Sequence, residues 1–531
     1  MKKPLLLLLM VVVCSRPVVC QETLDGHPVV LDREGKLLSW LPQEKAYDGV
    51  MRRAWDFLFK SVPTESNGLK SYLAYCCLNR KTLRGAAWPH NSAGLYAMMV
   101  DSAAGYYAYS GDRRVIGLVK EMLDYQIAHG TTPRDWPWGG APYASSDHGA
   151  TIYRGAHDFK YDAKRMARGD GYGAIEPDKV GELGYGYLKF YKLTGEARYR
   201  DEAIACANAL ARNVRKGDAA ASPWPFRVYA ETNVVREEYT SSLVGPLRLL
   251  DELIRLKLGD AAAYQKARQT AWEWLMAYPM KNNVWANYFE DIPFFEKPTN
   301  YNQINPLEIA RYLMERPEMD AEWRAHVPAL IEWVEKHFAA DTAKNERGVQ
   351  FGANTISEQI DYMYKMGSHT SRYASVLARW SELTGDRAAK EKAFRSFNWA
   401  TYMCREDGLV YVGVYDGDIW FTDGYGDYIR HFLAGMGAAP EWAPPGEDHL
   451  LRSTSVIRQV NYEPKGVSYA AFDGDGEEVL RLSFTPAQAL AGGRPLPRAE
   501  SDSGGPGWSF DSSRQTLRVR RRGAREIRIV R

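Results

Sequence analysis

The sequence predicts a mainly α-helical fold, an (α/α)6 toroid of helical hairpins with a small C-terminal antiparallel β-domain. Three observations point to it. A glycine-containing junction recurs between helices, apolar and charged helices alternate across that junction, and the texture changes after Gly437.

The junctions are Tyr109-Ser110-Gly111-Asp112, Leu193-Thr194-Gly195-Glu196, Lys257-Leu258-Gly259-Asp260 and Leu383-Thr384-Gly385-Asp386. Each closes one helix and opens the next, and glycine suits a helix end. Gly195 and Gly259 lie 64 residues apart, and the interval to Gly385 is about twice that, as an internal repeat requires. The missing member falls near Glu315–Asp320, where the next helix begins over Ala321–Phe338. The first interval is longer because Gly130–Pro177 is inserted.

Helices rich in small and aromatic residues precede the junctions: Asn91–Tyr109, Lys179–Leu193, Tyr239–Leu258, Gln303–Glu315 and Ser368–Leu383. More charged helices with apolar residues at three-and-four spacing follow, as in Ala197–Val214 and Ala261–Met276. The first kind read as inner helices and the second as outer ones. Tyr47–Val62 and Gly426–Gly435 supply the remaining outer and inner members, which makes six pairs. An open superhelical stack is the alternative, but such apolar inner helices favour closure into a ring.

Beyond Gly437, Pro440, Pro444, Pro445 and Gly446 form a linker, and period-two runs follow. Val467–Phe472, Val479–Phe484, Leu517–Arg521 and Glu526–Val530 alternate as strands do, separated by Asp-Gly and Gly-Gly turns. The arginines of the last 18 residues read as a solvated edge strand protected by charge. The expected organisation is a signal peptide over 1–20, an N-terminal extension over 21–45, the toroid over 46–437, and linker plus β-domain over 438–531.

The signal peptide rests on Lys2 and Lys3 followed by the apolar run Leu5–Val13, too short to span a bilayer. Cleavage after Cys20 would free Gln21 and export the chain to the periplasm or medium. Cys20 is also a lipidation candidate, in the poor lipoprotein context Pro17-Val18-Val19. No later segment reads as a membrane span. Cys76, Cys77, Cys206 and Cys404 read as core residues rather than a disulfide framework or zinc site. A net charge of +2 implies no nucleic-acid partner. Aromatic residues reach 12%, with 33 Tyr and 16 Trp, a content shared by large helical cores and by carbohydrate clefts.

In a toroid the inner helices run parallel, so the loops entering them meet at one mouth, where helix dipoles favour anions. Every one of those loops is rich in Trp or Tyr, in acids, or in both. The stretch Gly169–Glu196 is the densest: a glycine-broken loop with Asp170, Tyr172, Glu176 and Asp178 enters a helix apolar nearly all round, with glycines at 181, 184 and 186. Glycosidic cleavage needs two carboxyl groups, one protonated and one ionised. Glu176 and Asp423 are the leading pair, with Glu238 and Asp291 as substitutes. Trp88, His90, Trp138, Asp170, Tyr172, Trp224, Tyr239, Tyr301, His369, Arg372, Trp420 and Tyr425 are the expected substrate-binding residues. Asp101, Glu182 and His431 lie inside apolar helices and read as satisfied core hydrogen-bonding groups. No metal site or cofactor is expected: HExxH, GxGxxG, phosphate-loop and GxSxG patterns do not occur in these contexts.

With the repeated junctions, the aromatic mouth loops, the FTDGYGDYIRHFL segment and the GAIEPDKVGELGYGYLKFY helix, residues Tyr47–Gly437 resemble the six-hairpin glycosidase superfamily. That resemblance implies an exported enzyme with a carbohydrate partner, and carries no catalytic assignment with it. Glycoside hydrolysis of polysaccharide-derived oligosaccharides is the expected activity. A lyase or epimerase acting on uronate-containing glycans, or a non-catalytic carbohydrate-binding toroid, are the alternatives.

Overall fold

Gly111, Gly195 and Gly385 cap their helices in the left-handed region, at φ of 74°, 80° and 79°. Their N–H groups donate to the carbonyls of Tyr107, Tyr191 and Ser381, which satisfies groups a helix end otherwise leaves open. Asp260 and Asp386 start the following helices by accepting from the N–H of Ala263 and Ala389. At the third junction Lys257 takes the left-handed cap itself, at φ 56°.

The computed structural model describes residues 22–85, 88–160, 166–289, 292–293, 300–339, 351–360, 362–411, 419–421, 423–499 and 505–531. The expected signal peptide and Cys20 lie outside them. Twelve helices are described: α1 (Ala46–Lys60), α2 (Ser92–Ser110), α3 (Arg114–His129), α4 (Pro177–Thr194), α5 (Ala197–Asn213), α6 (Val244–Leu256), α7 (Ala261–Leu275), α8 (Ile304–Glu315), α9 (Trp323–Val334), α10 (Gly367–Thr384), α11 (Arg387–Thr401) and α12 (Asp423–Ala438). The even-numbered helices pack α2 on α4, α4 on α6, and so on to α12, which returns to α2. That last contact closes the ring, so the open stack is ruled out. The odd-numbered helices lie outside, and α1 packs on α12. The helix expected over Ala321–Phe338 is α9, which is shorter; Glu335–Ala339 widens into a π turn.

Glycine permits the tightest crossings of the inner ring. A Cβ on Gly181 would lie 2.3 Å from the Pro246 nitrogen on α6, and one on Gly426 2.9 Å from the Met99 nitrogen on α2. Gly181→Ala is therefore expected to cost about 1–3 kcal/mol, the usual penalty for overpacking. Urea unfolding checks this, and an unchanged midpoint would mean that α4 and α6 can part freely.

The C-terminal strands form two antiparallel sheets. One runs in the order His449–Ser453, Gly476–Arg481, Thr516–Arg521, Gly507–Asp511. The other runs Ile457–Glu463, Gly466–Ala471, Glu526–Val530, Gln488–Ala491, Arg494–Pro495. Both arginine-rich strands are thus interior, which corrects the expectation of a charged edge. The charge of the Thr516–Arg521 strand is met by acids instead: Arg520 pairs with Glu477 at 2.7 Å, Arg521 with buried Glu478 at 3.0 Å, and Arg518 with Glu382 of α10 at 3.3 Å.

The sheets sit against the C-terminal ends of the inner helices. Arg458 Nε donates to the Lys192 carbonyl at 2.7 Å, Arg255 pairs with Asp473 at 2.9 Å, and His449 stacks on Tyr109 at 3.9 Å. One end of the ring is occupied in this way, and the N-terminal ends of the inner helices face the other. Cys206 and Cys404 are buried free thiols within the packing, and Cys76 is buried with its thiol donating to the Pro89 carbonyl at 2.7 Å.

Candidate functional site

A cavity in the middle of the ring is walled by apolar residues such as Met98, Val244 and Ile304, and by one ionisable side chain from each of five inner helices. These are Asp101 of α2, Glu182 of α4, Arg248 of α6, Glu308 of α8 and Arg430 of α12. On α4, α6 and α8 they stand about one turn inside the N-terminus. Serines 241 and 242, in the loop entering α6, and Tyr288 complete the wall, and Gly186 leaves room on α4.

Most of these charges neutralise one another. Arg248 pairs with Glu308 at 3.2 Å and Arg430 with Asp101 at 3.3 Å, while Lys189 also holds Asp101. Beneath them Asp427 Oδ1 accepts from Arg372 at 2.6 Å, Arg430 at 2.7 Å and His431 at 3.0 Å. Arg372, fully buried on α10, also reaches Glu308 at 3.3 Å. Burial works to raise Glu308, yet Arg311, Arg430, Arg248 and Arg372 hold it well below the carboxylate range. Burial likewise opposes the ionisation of Asp101 and Asp427, and the neighbouring cations again win in both cases. His369 and His431 are pushed down to about 3, by burial first, and stand neutral.

Glu182 differs. Among the described residues it has no basic ion-pair partner, and its Oε2 accepts only a long bond from the Tyr288 hydroxyl, at 3.4 Å. Burial raises it to about 7, against the pull of Lys179 and with help from Asp178 and Glu308. The cavity therefore sets one readily protonated carboxyl beside carboxylates held ionised, the separation of roles that acid–base chemistry uses.

The expected site residues fall largely elsewhere. Glu176 is fully buried, its Oε1 accepting from Arg227 Nε at 2.8 Å, and Arg227 also pairs with Glu237 at 3.2 Å. Asp170 accepts from Ser145 Oγ at 2.7 Å and the Ala156 N–H at 2.6 Å. Glu238 is exposed and paired with Arg215 at 2.5 Å. None of these three lines the central cavity. Asp291 and the side chains of Trp420 and Asp423 lie outside the described residues, although the backbone of Asp423 opens α12 one turn before Asp427.

Several expected binding residues instead hold the scaffold together. The indoles of Trp138 and Trp224 donate to Asn233 and to the Leu210 carbonyl, at 2.7 and 2.9 Å. Tyr239 donates to the Val284 carbonyl at 2.9 Å, and Tyr425 accepts from the Val410 N–H at 3.1 Å. His90 is buried against Tyr96 and Tyr153, and burial pushes it down to about 3. Tyr301 packs edge-on against Trp333, and Trp88 against Phe159. Tyr172 is half exposed, away from the ring centre. Among the described side chains of that set, His369 and Arg372 come near the cavity, as the layer beneath it.

The residues that do line the cavity carried a readable signal. Each of the five helices has a charged residue facing the ring centre, a cost to burial unless the residues meet. Treating Asp101 and Glu182 as isolated core groups hid that they share a level of the ring.

No protein-family model and no curated protein matches the chain. Solved structures do match, over about three quarters of this chain. A D-mannose isomerase superposes with a TM-score of 0.52 and 9% identity, over 75% of this chain and 96% of that one. A sugar epimerase from a ruminal bacterium gives 0.51 and 11%, over 74% and 99%. A family 76 glycoside hydrolase from a bovine Bacteroides thetaiotaomicron strain gives 0.50 and 10%, over 75% and 78%. The fold class is thereby defined: a six-hairpin (α/α)6 toroid, here with a charged central cavity. At such identities the likeness establishes the fold alone.

Proposed function

We propose that this protein is a carbohydrate-active enzyme that hydrolyses glycosidic bonds of polysaccharide-derived oligosaccharides in the central cavity. Three structurally similar proteins bear the names of a sugar isomerase, a sugar epimerase and a glycoside hydrolase, which supports a sugar substrate. The observation that carries the reading is the unequal treatment of the three cavity carboxyls: Asp101 and Glu308 are tied to arginines, and Glu182 is not. Glu182 protonates the leaving oxygen, and Glu308 is the ionised partner, with Asp423 as the substitute from the mouth of α12. Met98, Ile304 and Tyr288 supply apolar surface for a ring, and the paired serines supply hydroxyls. The basic and apolar start of the chain supports action after export.

Arg248 and Arg430 on the cavity wall favour a second reading, elimination or epimerisation at a uronate whose carboxylate they would neutralise. One experiment separates the two. Purified protein incubated with neutral and uronate-containing oligosaccharides is expected to release new reducing ends without an ultraviolet-absorbing unsaturated product. An absorbing product supports elimination, and a change of sugar configuration without cleavage supports epimerisation. Binding without product would defeat both.

A further inference from the structure

The insertion before α4 and the hairpin over Arg227–Glu237 enclose a second hollow, of about 760 Å³, that shares no lining residue with the central cavity. Its walls are aromatic: Trp136, Tyr143, Tyr172 and Tyr229. Among the described residues six large hydrophobic side chains are exposed, and Ile152, Tyr172 and Val234 of this one hollow are three of them. Apolar side chains gathered at an exposed pocket mark a binding surface rather than the scatter normal for a protein exterior.

The polar groups beside them narrow the occupant. Arg154 and Glu231 are both exposed and lie on the same hollow with two threonines, 131 and 232. Among the described residues Arg154 reaches only the Tyr172 hydroxyl, at 3.4 Å, and Glu231 makes no ion pair. The two formal charges cancel, which disfavours a polyanion. Each remains free to hydrogen-bond hydroxyl groups while ring C–H faces pack on the aromatic walls. The volume lies within the range of small-ligand sites and exceeds what a single water cluster needs.

The geometry points to a second carbohydrate-binding site, one that holds a neutral oligosaccharide stretch of the substrate away from the reacting bond. It rests on the reading of the central cavity as a sugar site, and it predicts tethering of polymer without any part in bond cleavage.

Native gels cast with arabinoxylan, galactomannan, mixed-linkage β-glucan or polygalacturonate test it through retardation of the full-length protein. At least one neutral polymer is expected to retard wild type and Glu182→Gln alike. Trp136→Ala, and the exposed pair Ile152→Asp/Val234→Asp, should each raise the apparent Kd at least about tenfold, as loss of a stacking or apolar wall implies. Turnover of short oligosaccharides by the Ile152→Asp/Val234→Asp variant should stay at the wild-type rate. Equal retardation of wild type and both groove variants overturns the proposal, as does retardation by polygalacturonate alone or by none of the four. A concentration-dependent dimer abolished by the groove variants overturns it too, since a second copy would then be the occupant. Retardation without turnover of any sugar leaves the groove in place and defeats the hydrolase reading instead.

Discussion

Replacing Glu182 by Gln is expected to lower turnover about 100- to 10,000-fold, the usual worth of a positioned general acid, while leaving the unfolding midpoint near wild type. The two side chains have nearly the same shape, and no ion pair is broken because Glu182 has none among the described residues. The amide oxygen can still accept from the Tyr288 hydroxyl. Only the transferable proton is lost. The pH dependence follows with a definite sign. Glu182 acts in its protonated form, and burial raises it to about 7. The kcat/KM of wild type should therefore fall as pH rises through about 7, and the residual activity of Glu182→Gln should lack that limb. Glu308 and Asp101 are held below the ordinary carboxylate range and add no limb near neutrality. Turnover by Glu182→Gln within a few-fold of wild type, with the basic limb retained, would remove Glu182 as the acid.

Arg227→Met is expected to destabilise the toroid by about 3–5 kcal/mol, the cost of breaking a buried ion pair on one side only. Arg227 and Glu176 are both fully buried, 2.8 Å apart through Nε, with Glu237 on Nη1 at 3.2 Å. Removing the cation takes the guanidinium from the fully buried Glu176 carboxylate, while Glu237 keeps Arg168 at 3.2 Å. Burial alone would favour the neutral arginine, yet Glu237 and Glu176 hold Arg227 firmly charged. Urea unfolding followed by near-ultraviolet circular dichroism measures the loss. The double variant Arg227→Met/Glu176→Gln should recover part of it, because the uncompensated charge is then gone. A stable single variant would show that water reaches the pair, and would reopen Glu176 as a group available for chemistry.

These two carboxyls mark the boundary of what could be read from the chain. Helix ends were legible because their causes are local. A glycine at a left-handed cap and an aspartate three residues before the N–H it accepts from act within one turn, and the repeat of such junctions counted the hairpins. Inner and outer membership was legible because periodic apolar residues report which face is buried. Ring closure agreed with the apolar inner helices, although the contact between α12 and α2 that proves it joins segments more than three hundred residues apart.

Strand neighbours were not legible. Alternation tells which face of Glu526–Val530 is buried and says nothing about what lies on either side, so an interior strand passed for an edge. The same limit governed the site. Glu176 and Glu182 stand on or beside one helix, equally acidic and equally near aromatic rings. Their difference is Arg227, which folds back on Glu176 from 51 positions away, whereas Glu182 forms no ion pair with a cation among the described residues. Asp101 is likewise matched by Arg430, 329 positions distant. Hairpins and caps are short-range consequences of residue type, whereas the protonation state of a carboxyl depends on charges brought close through space. Only the closed ring puts those charges in place.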